Sequence, residues 1–212
     1  MLIINIQEKK YSSEIILKNI AETISGNGLY GVVGRNGSGK TTFFNCISRL
    51  TDFQGNIVFD GKEMTPRQTA FCPTEPFLYE HLTVGEFYRF YENLIGVKPA
   101  KQHFFDVKET LLTSELSTGM RKKAYLNALL QKKYDIYIFD EPFNGLDIES
   151  AYQVKTKIRQ LAENHIVFVS SHVLETLSDC RCIFLIENNS LEKFSLSEIR
   201  KIEERLFGEK SI

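Results

Sequence analysis

The stretch Gly34-Arg35-Asn36-Gly37-Ser38-Gly39-Lys40-Thr41 decides the fold of this 212-residue chain. It matches the phosphate-binding pattern G-x-x-x-x-G-K-[ST]. An apolar stretch at 29–33 precedes it and predicts a β-strand, and an amphipathic stretch at 40–50 follows it and predicts an α-helix. Strand, glycine-rich loop and helix in this order form the context in which the pattern binds phosphate, so a chance glycine-rich turn is the weaker interpretation.

The residue types of this loop suit a nucleoside triphosphate with its magnesium ion. Glycines let backbone N–H groups turn inward around phosphate oxygens, and the start of the helix adds a positive partial charge. Lys40 supplies a mobile cation for the β- and γ-phosphates, and the Thr41 hydroxyl can bind Mg²⁺. We therefore expect ATP and Mg²⁺ as cofactors. The residues expected to contact the nucleotide here are Gly34, Arg35, Asn36, Gly37, Ser38, Gly39, Lys40, Thr41 and Thr42.

Two acidic residues, Asp140 and Glu141, follow an apolar stretch at 135–139 that predicts a strand. Ligands of open α/β sheets bind at the carboxyl ends of the strands, so this pair is expected beside the phosphate loop. Asp140 can hold Mg²⁺ through water, and Glu141 can orient and polarise the attacking water. The phosphate loop and the acidic pair also occur together in kinases and GTPases. They therefore indicate a P-loop enzyme but do not specify its class of reaction.

Strand and helix patterns alternate along the rest of the chain. The alternation predicts an α/β fold with a mainly parallel sheet. Further strands are predicted at 2–7, 14–17, 57–59, 69–72, 166–169 and 183–186, and further helices at 83–95, from Ser117 to about 132, after Asp147, and from near Ser195.

Composition excludes several classes of function. The formal net charge of −1 gives no overall basic footprint for nucleic acid, and the pairs Lys122-Lys123 and Lys132-Lys133 are interpreted as solvent-exposed helix faces. No apolar run is long enough to span a bilayer, and the first residues do not resemble a signal peptide. The four cysteines have no metal-binding spacing and are expected to be buried free thiols of a cytoplasmic protein.

Four further features connect the chain to a known family. Leu116-Ser117-Thr118-Gly119-Met120 resembles the L-S-G-G-Q signature motif of ABC ATPases, and Asn144-Gly145-Leu146-Asp147 resembles their D-loop. His172 stands where the family has its switch histidine, and Tyr11 matches the aromatic residue that stacks on adenine. With the phosphate loop and the acidic pair, the chain is similar to ATP-binding subunits of ABC transporters from about residue 2 to 190.

The resemblance implies a RecA-like P-loop core with a small antiparallel β subdomain, at about 1–76 and 132–212, and a helical subdomain inserted at about 77–131. It also implies a head-to-tail dimer with a second ATP-binding subunit, identical or different. Each ATP would lie between the phosphate loop of one subunit and Ser117 and Gly119 of the other, with Asp147 nearby. Glu141 and His172 would be the catalytic residues.

The resemblance further implies a transmembrane permease as partner and a location on the inner face of the cell membrane through that partner. The S-x-G-M form of the signature and the stretch at 75–84 are similar to exporter-type members. Aromatic residues are dense around 71–105, and exposed ones could line a groove for a helix of the permease. An ABC-type ATPase without a membrane partner is the alternative, and a nucleotide-gated module that hydrolyses little ATP is a third possibility.

One position departs from the family pattern. Thr74 stands where the family has a Gln, or sometimes a Glu, that contacts Mg²⁺ and connects to the membrane partner. Glu75 follows directly, and its longer side chain carries the oxygen ligands that magnesium prefers. We expect Glu75 to take the place of the missing glutamine, with a solvent-facing Glu75 as the alternative.

Overall fold

The computed structural model describes residues 1–99 and 102–208. Within these ranges the strands are β1 (Leu2–Tyr11), β2 (Glu14–Ile24), β3 (Gly28–Val33), β4 (Gln54–Phe59), β5 (Lys62–Glu63), β6 (Thr69–Cys72), β7 (Ile136–Phe139), β8 (Ile166–Ser170), β9 (Cys182–Glu187) and β10 (Ser190–Phe194). The α-helices are α1 (Lys40–Ile47), α2 (Val84–Ile95), α3 (Thr118–Leu129), α4 (Ile148–Ala162) and α5 (Ile199–Phe207).

A six-stranded sheet in the order β10-β9-β3-β8-β7-β6 forms the centre of the molecule. All neighbouring strands in it are parallel except β10, which runs antiparallel to β9. The carboxyl ends of β3, β7 and β8 therefore meet at one edge of the sheet, where the phosphate loop and the acidic pair leave their strands. The predicted α/β fold with a mainly parallel sheet is confirmed.

The central strands β3, β7 and β8 are buried on both faces, and the side chains of alternate residues point to opposite sides. Ile138 of β7 packs in the same apolar cluster as Phe44 of α1, on the side of the antiparallel sheet. Its neighbour Phe139 lies in a second cluster with Val154 of α4. Continuous apolar strands such as Ile136–Phe139 are typical of parallel strands covered on both faces.

A four-stranded antiparallel sheet, β2-β1-β4-β5, covers one side. The predictions of strands at 2–7 and 14–17 were too short, since β1 and β2 pair from Leu2↔Ile24 to Tyr11↔Glu14. Polar residues such as Lys10 and Lys18 interrupt the apolar pattern, yet they are exposed and keep their backbone pairing. An antiparallel sheet tolerates them on its solvated face.

The region predicted as a helical subdomain, about 77–131, contains α2 and α3. Thr83 caps α2 as one half of a capping box with Glu86, which supports the predicted start of this helix. Buried Asn127 of α3 connects three parts of this region. Its Nδ2 donates to the Tyr88 hydroxyl and to the Phe105 carbonyl oxygen, each at 2.9 Å, and its Oδ1 accepts the Phe105 N–H at 2.8 Å.

Other helix boundaries differ from the predictions. Helix α1 ends at Ile47 and α3 at Leu129, earlier than predicted. The capping box between Ser195 and Glu198 forms, but it opens a short 3₁₀ turn that leads into α5. In the described ranges, none of the helices combines the length and apolar character needed to cross a membrane.

Candidate functional site

A cavity of about 430 Å³ lies at the carboxyl edge of the parallel sheet, where the loops after β3, β7 and β8 meet. Most of the residues predicted for nucleotide, metal and catalysis converge on this single space. Its lining consists of Tyr11, Ile16, Asn36, Gly37, Gly39, Lys40, Thr41, Thr42, Thr74, Asp140, Glu141, Asn144 and His172.

The phosphate loop holds its lysine in a buried position at the start of α1. Lys40 Nζ donates to the carbonyl oxygens of Gly34 at 2.9 Å and Arg35 at 3.3 Å. Burial lowers the pKa of Lys40, while the charges of Glu141 and Asp140 oppose that shift and favour the cation. The ammonium is thus held at the loop by weak, replaceable carbonyl acceptors and can turn to a phosphate.

Gly39 is required by the backbone at the helix start. Its φ of +104° is strained for any residue with a Cβ atom, and a Cβ there would lie 3.0 Å from Ile16 and 3.1 Å from Leu17 of β2. This close approach brings the antiparallel sheet against the phosphate loop. Tyr11, at the end of β1, thereby reaches the rim of the cavity.

A chain of hydrogen bonds connects the three loops through Asp140. The Thr41 hydroxyl donates to Asp140 Oδ2 at 2.6 Å, and the Ser170 hydroxyl donates to Asp140 Oδ1 at 2.6 Å. Ser170 Oγ in turn accepts the backbone N–H of Glu141 at 2.8 Å. Both oxygens of the Asp140 carboxylate are therefore oriented, one toward the phosphate loop and one toward the end of β8.

Glu141 holds an unusual backbone conformation at the centre of this site. Its φ of +47° lies in the left-handed region, which costs a residue other than glycine about 1–3 kcal/mol. The carboxylate is buried, and Oε1 lies 3.0 Å from His172 Nε2, but it accepts no well-aligned hydrogen bond from the described part of the chain. Burial raises the pKa of Glu141, and the nearby charges of His172 and Lys40 oppose this shift.

The side chains present fit a magnesium ion and a phosphate group. Thr41 and Asp140 place two oxygen donors of the hard type that Mg²⁺ prefers within hydrogen-bond distance of each other. Among the buried side-chain oxygens of the described residues that lack a hydrogen-bond partner, two belong to the loops of this site, Ser38 Oγ and Glu141 Oε1. Buried polar atoms are rarely left without partners, so these two suit a ligand or an attacking water.

The end of the cavity at Tyr11, which is predicted to stack on adenine, is open to solvent. Tyr11 is half-exposed at the rim, and Lys9 Nζ lies 4.2 Å from the centre of its ring. Gly34 and Arg35 of the phosphate loop line an adjacent cavity of about 260 Å³, which also reaches His172 and Phe207. The predicted loop residues other than Ser38 are therefore divided between two neighbouring spaces.

The predicted nucleotide contacts of the signature and D-loop sequences, Ser117, Gly119 and Asp147, lie outside the cavity. Exposed Ser117 caps α3 by accepting the Met120 N–H at 3.3 Å, and exposed Asp147 caps α4 by accepting the Ser150 N–H at 2.8 Å. A Cβ atom at Gly119 would lie 3.3 Å from the Gly145 carbonyl oxygen. The signature and D-loop sequences are thus neighbours. Ser117 and Asp147 lie on the surface outside the cavity, whereas Asn144 of the D-loop sequence belongs to its lining.

The sequence-based assignment of Glu75 as a magnesium ligand is not supported by this geometry. Thr74 belongs to the cavity wall, whereas Glu75 is exposed and lies outside the lining. Pro73 and Pro76 flank the pair and restrict the backbone on both sides. In this loop conformation the shorter side chain is the one that reaches the site.

Sequence analysis missed two residues of the site. Ser170 directly follows the strand predicted at 166–169 and was given no role, although the end of a strand near Asp140 was a signal for it. Lys122 was interpreted as exposed, and this was wrong, because the structure buries it at 1 % exposure. Its spacing of four and seven residues from buried Leu126 and Leu129 places it on the inner face of α3 and could have revealed it.

The parallel sheet, the phosphate loop and the acidic pair define a P-loop nucleoside triphosphatase. The sequence profile described as "ABC transporter" matches residues 17–144, and the chain belongs to the ABC transporter family. It is an ATP-binding subunit of such a transporter, and the domain of this family is an ATPase.

Individual relatives agree with this assignment. The chain is 27 % identical to the ABC-type transporter ATP-binding protein EcsA of Bacillus subtilis, with 90 % of this chain and 85 % of that protein covered. It is 27 % identical to the lipopolysaccharide export system ATP-binding protein LptB of Haemophilus influenzae, with 84 % and 83 % covered. A solved structure of an ATP-binding subunit of an ABC transporter shares the fold, with a TM-score of 0.83, 23 % identity and coverage of 97 % and 94 %.

The buried carboxylate of Glu141 leads to a first prediction. Glu141→Gln should bind ATP with wild-type affinity but hydrolyse it about 10²–10⁴-fold more slowly, because the amide cannot accept a proton from water. Single-turnover hydrolysis and equilibrium ATP titration measure the two properties separately. Rapid hydrolysis by this variant would mean that another group activates the water.

Proposed function

We propose that this chain hydrolyses ATP to power a membrane transporter. The observation that carries the proposal is that Lys40, Asp140, Glu141 and His172 line one cavity. Each has the chemistry that phosphoryl transfer to water requires, and their positions follow from the parallel sheet. ATP binding and hydrolysis would close and reopen a dimer of such subunits, and this movement would drive transport.

The proposed roles follow from the contacts of each side chain. Lys40 would exchange its carbonyl acceptors for phosphate oxygens. Thr41 and Asp140 would hold the magnesium ion, which when bound neutralises phosphate charge and orients the triphosphate. Glu141 would accept a hydrogen bond from the attacking water, and His172, 3.0 Å from its carboxylate, would contact the γ-phosphate.

A dimer is supported by the exposed position of Ser117 and Asp147. Ser117 begins α3, where free backbone N–H groups and the helix dipole attract an anion, and Asp147 begins α4. Neither residue lines the cavity of its own chain. Either one would therefore contact a nucleotide only if that nucleotide were bound to the phosphate loop of a second subunit. We propose that Ser117, Gly119 and Asp147 complete the site of a partner subunit in a head-to-tail arrangement.

A groove of about 690 Å³ supports a membrane partner. It lies between the core and α2 and α3, and its apolar wall includes Phe71, Tyr91, Leu94 and Tyr125. Such a groove can accept the apolar face of a short helix. We propose that a helix of a transmembrane permease docks here and holds this chain on the inner face of the cell membrane.

The direction of transport is proposed to be export. The S-x-G-M form of the signature supports it, and so does the similarity to LptB, whose name describes an export system. An ABC-type ATPase without a membrane partner is the second candidate. The aromatic groove favours the transporter over this alternative, because it offers an apolar docking surface that ATP hydrolysis alone does not need.

Shared sites in a dimer can be tested by mixing two inactive variants. Lys40→Ala disables the site on a subunit's own phosphate loop, and Ser117→Arg disables the site on its partner's loop. In a mixed dimer both lesions fall in one site and leave the other intact. With Glu141→Gln added to both variants to prevent turnover, an equal mixture should trap about a quarter of the ATP trapped by Glu141→Gln alone, from random pairing in a twofold dimer.

Each variant alone is the control and should trap little ATP. Mixed dimers are verified independently by carrying different affinity tags on the two variants. If verified mixed dimers trap no more ATP than the separate variants, the shared site is ruled out.

The loop at Thr74 and Glu75 generates a third prediction. Thr74 lines the cavity and Glu75 does not, so Thr74→Val should lower magnesium-dependent turnover several-fold, while Glu75→Gln should change it less than about twofold. ATPase rates across a magnesium titration, with the membrane partner present, compare the two. The reverse order would support the sequence-based assignment of Glu75 and would require the loop to rotate when ATP binds.

A further inference from the structure

Lys122 is a buried cation beside the site. It has no part in the roles proposed above for ATP hydrolysis. It lies on α3, five residues after Ser117, with 1 % of its surface exposed. Its ammonium donates to the carbonyl oxygen of Glu141 at 3.0 Å and to that of Asn144 at 3.0 Å. These two acceptors are the two ends of the turn that follows β7.

Burying this charge is expensive. An ammonium group removed from water costs several kcal/mol unless hydrogen bonds and opposite charges offset the loss. No carboxylate of the described chain lies within ion-pair distance of Lys122, and its bonds go to neutral carbonyl groups. Burial accordingly lowers the pKa of Lys122, against the more distant charges of Glu141, Asp140 and Glu75. A leucine or methionine would fill the same space at no such cost.

The turn held by Lys122 carries the catalytic carboxylate. Glu141 is in the left-handed backbone region, and its carbonyl also accepts the Asn144 N–H at a long 3.3 Å. The surroundings must maintain a backbone that is strained in this way. Ser170 holds the turn from the amide side of Glu141, and Lys122 holds it from the carbonyl side.

We propose that Lys122 is a positioning residue for ATP hydrolysis, which holds the turn at 141–144 so that the Glu141 carboxylate faces the attacking water. The proposal rests on the catalytic role proposed for Glu141. Because Lys122 and Ser117 share one rigid helix, about 7.5 Å apart along its axis, Lys122 also connects the signature sequence to the catalytic turn of the same chain.

The test compares Lys122→Met with the whole wild-type chain in steady-state ATP hydrolysis. Methionine keeps the length and volume of the buried stem and removes the donors. We expect kcat to fall about 10- to 100-fold with KM for MgATP within about twofold, since a small displacement of a catalytic group costs rate more than binding. Lys123→Met, at the next and only half-buried position of α3, is the matched control and should keep wild-type kcat.

A double variant separates positioning from general structural damage. If Lys122 acts through Glu141, adding Lys122→Met to Glu141→Gln should lower the remaining rate less than about twofold, because interacting residues are not additive. Lys122→Gln keeps amide donors and should have a kcat between those of wild type and Lys122→Met. It replaces Lys122→Met in every comparison if the methionine variant does not fold.

Several results would overturn the proposal. The proposal is wrong if Lys122→Met keeps wild-type kcat. It is also wrong if this variant loses kcat and ATP affinity to the same extent. An undiminished loss in the Glu141→Gln background would assign Lys122 a purely structural role. Wild-type kcat in Glu141→Gln alone would instead show that the role of Glu141 itself is wrong.

Discussion

The site depends on the Asp140 carboxylate, which is hydrogen bonded on both of its oxygens. Thr41 binds one oxygen and Ser170 the other, each at 2.6 Å, so one side chain connects the phosphate loop, the end of β7 and the end of β8. These loops are far apart in sequence and close only because β3, β7 and β8 run parallel in one sheet. A parallel sheet with its carboxyl ends at one edge is thus the precondition for the chemistry.

The hydrogen bonds that begin at Asp140 continue through Ser170 to Glu141 and then to Lys122 of α3. Ser170 fixes the amide of Glu141, Lys122 fixes its carbonyl, and the resulting left-handed turn directs the side chain toward His172. The same turn continues into the D-loop sequence, which lies against Gly119. Groups proposed to bind a chain's own nucleotide and groups proposed to bind that of a partner are therefore connected through a few hydrogen bonds.

Local sequence motifs made much of the fold and of the candidate site predictable. The phosphate loop and the acidic pair were recognised from spacing, because backbone geometry at a strand end permits few residue types there. The hairpin of β1 and β2 was underestimated, since pairing between distant residues overrode a broken apolar pattern. The spacing of Lys122 on α3 indicates that it is buried, but its acceptors are backbone carbonyl groups, which the sequence does not reveal. Thr74 faces the site and Glu75 does not. This orientation depends on the backbone rotation of one loop, and a loop has no periodic pattern from which it could be predicted.

The central claim is that Thr41 and Asp140 form the magnesium site for ATP. Calorimetric titration of ATP into wild type and Asp140→Asn, each with excess Mg²⁺ and with chelator, tests it most directly. We predict that Mg²⁺ strengthens ATP binding to wild type and that Asp140→Asn weakens this magnesium-dependent gain about 10- to 100-fold. An equal gain in both proteins would contradict the account, because the metal would then be held without Asp140.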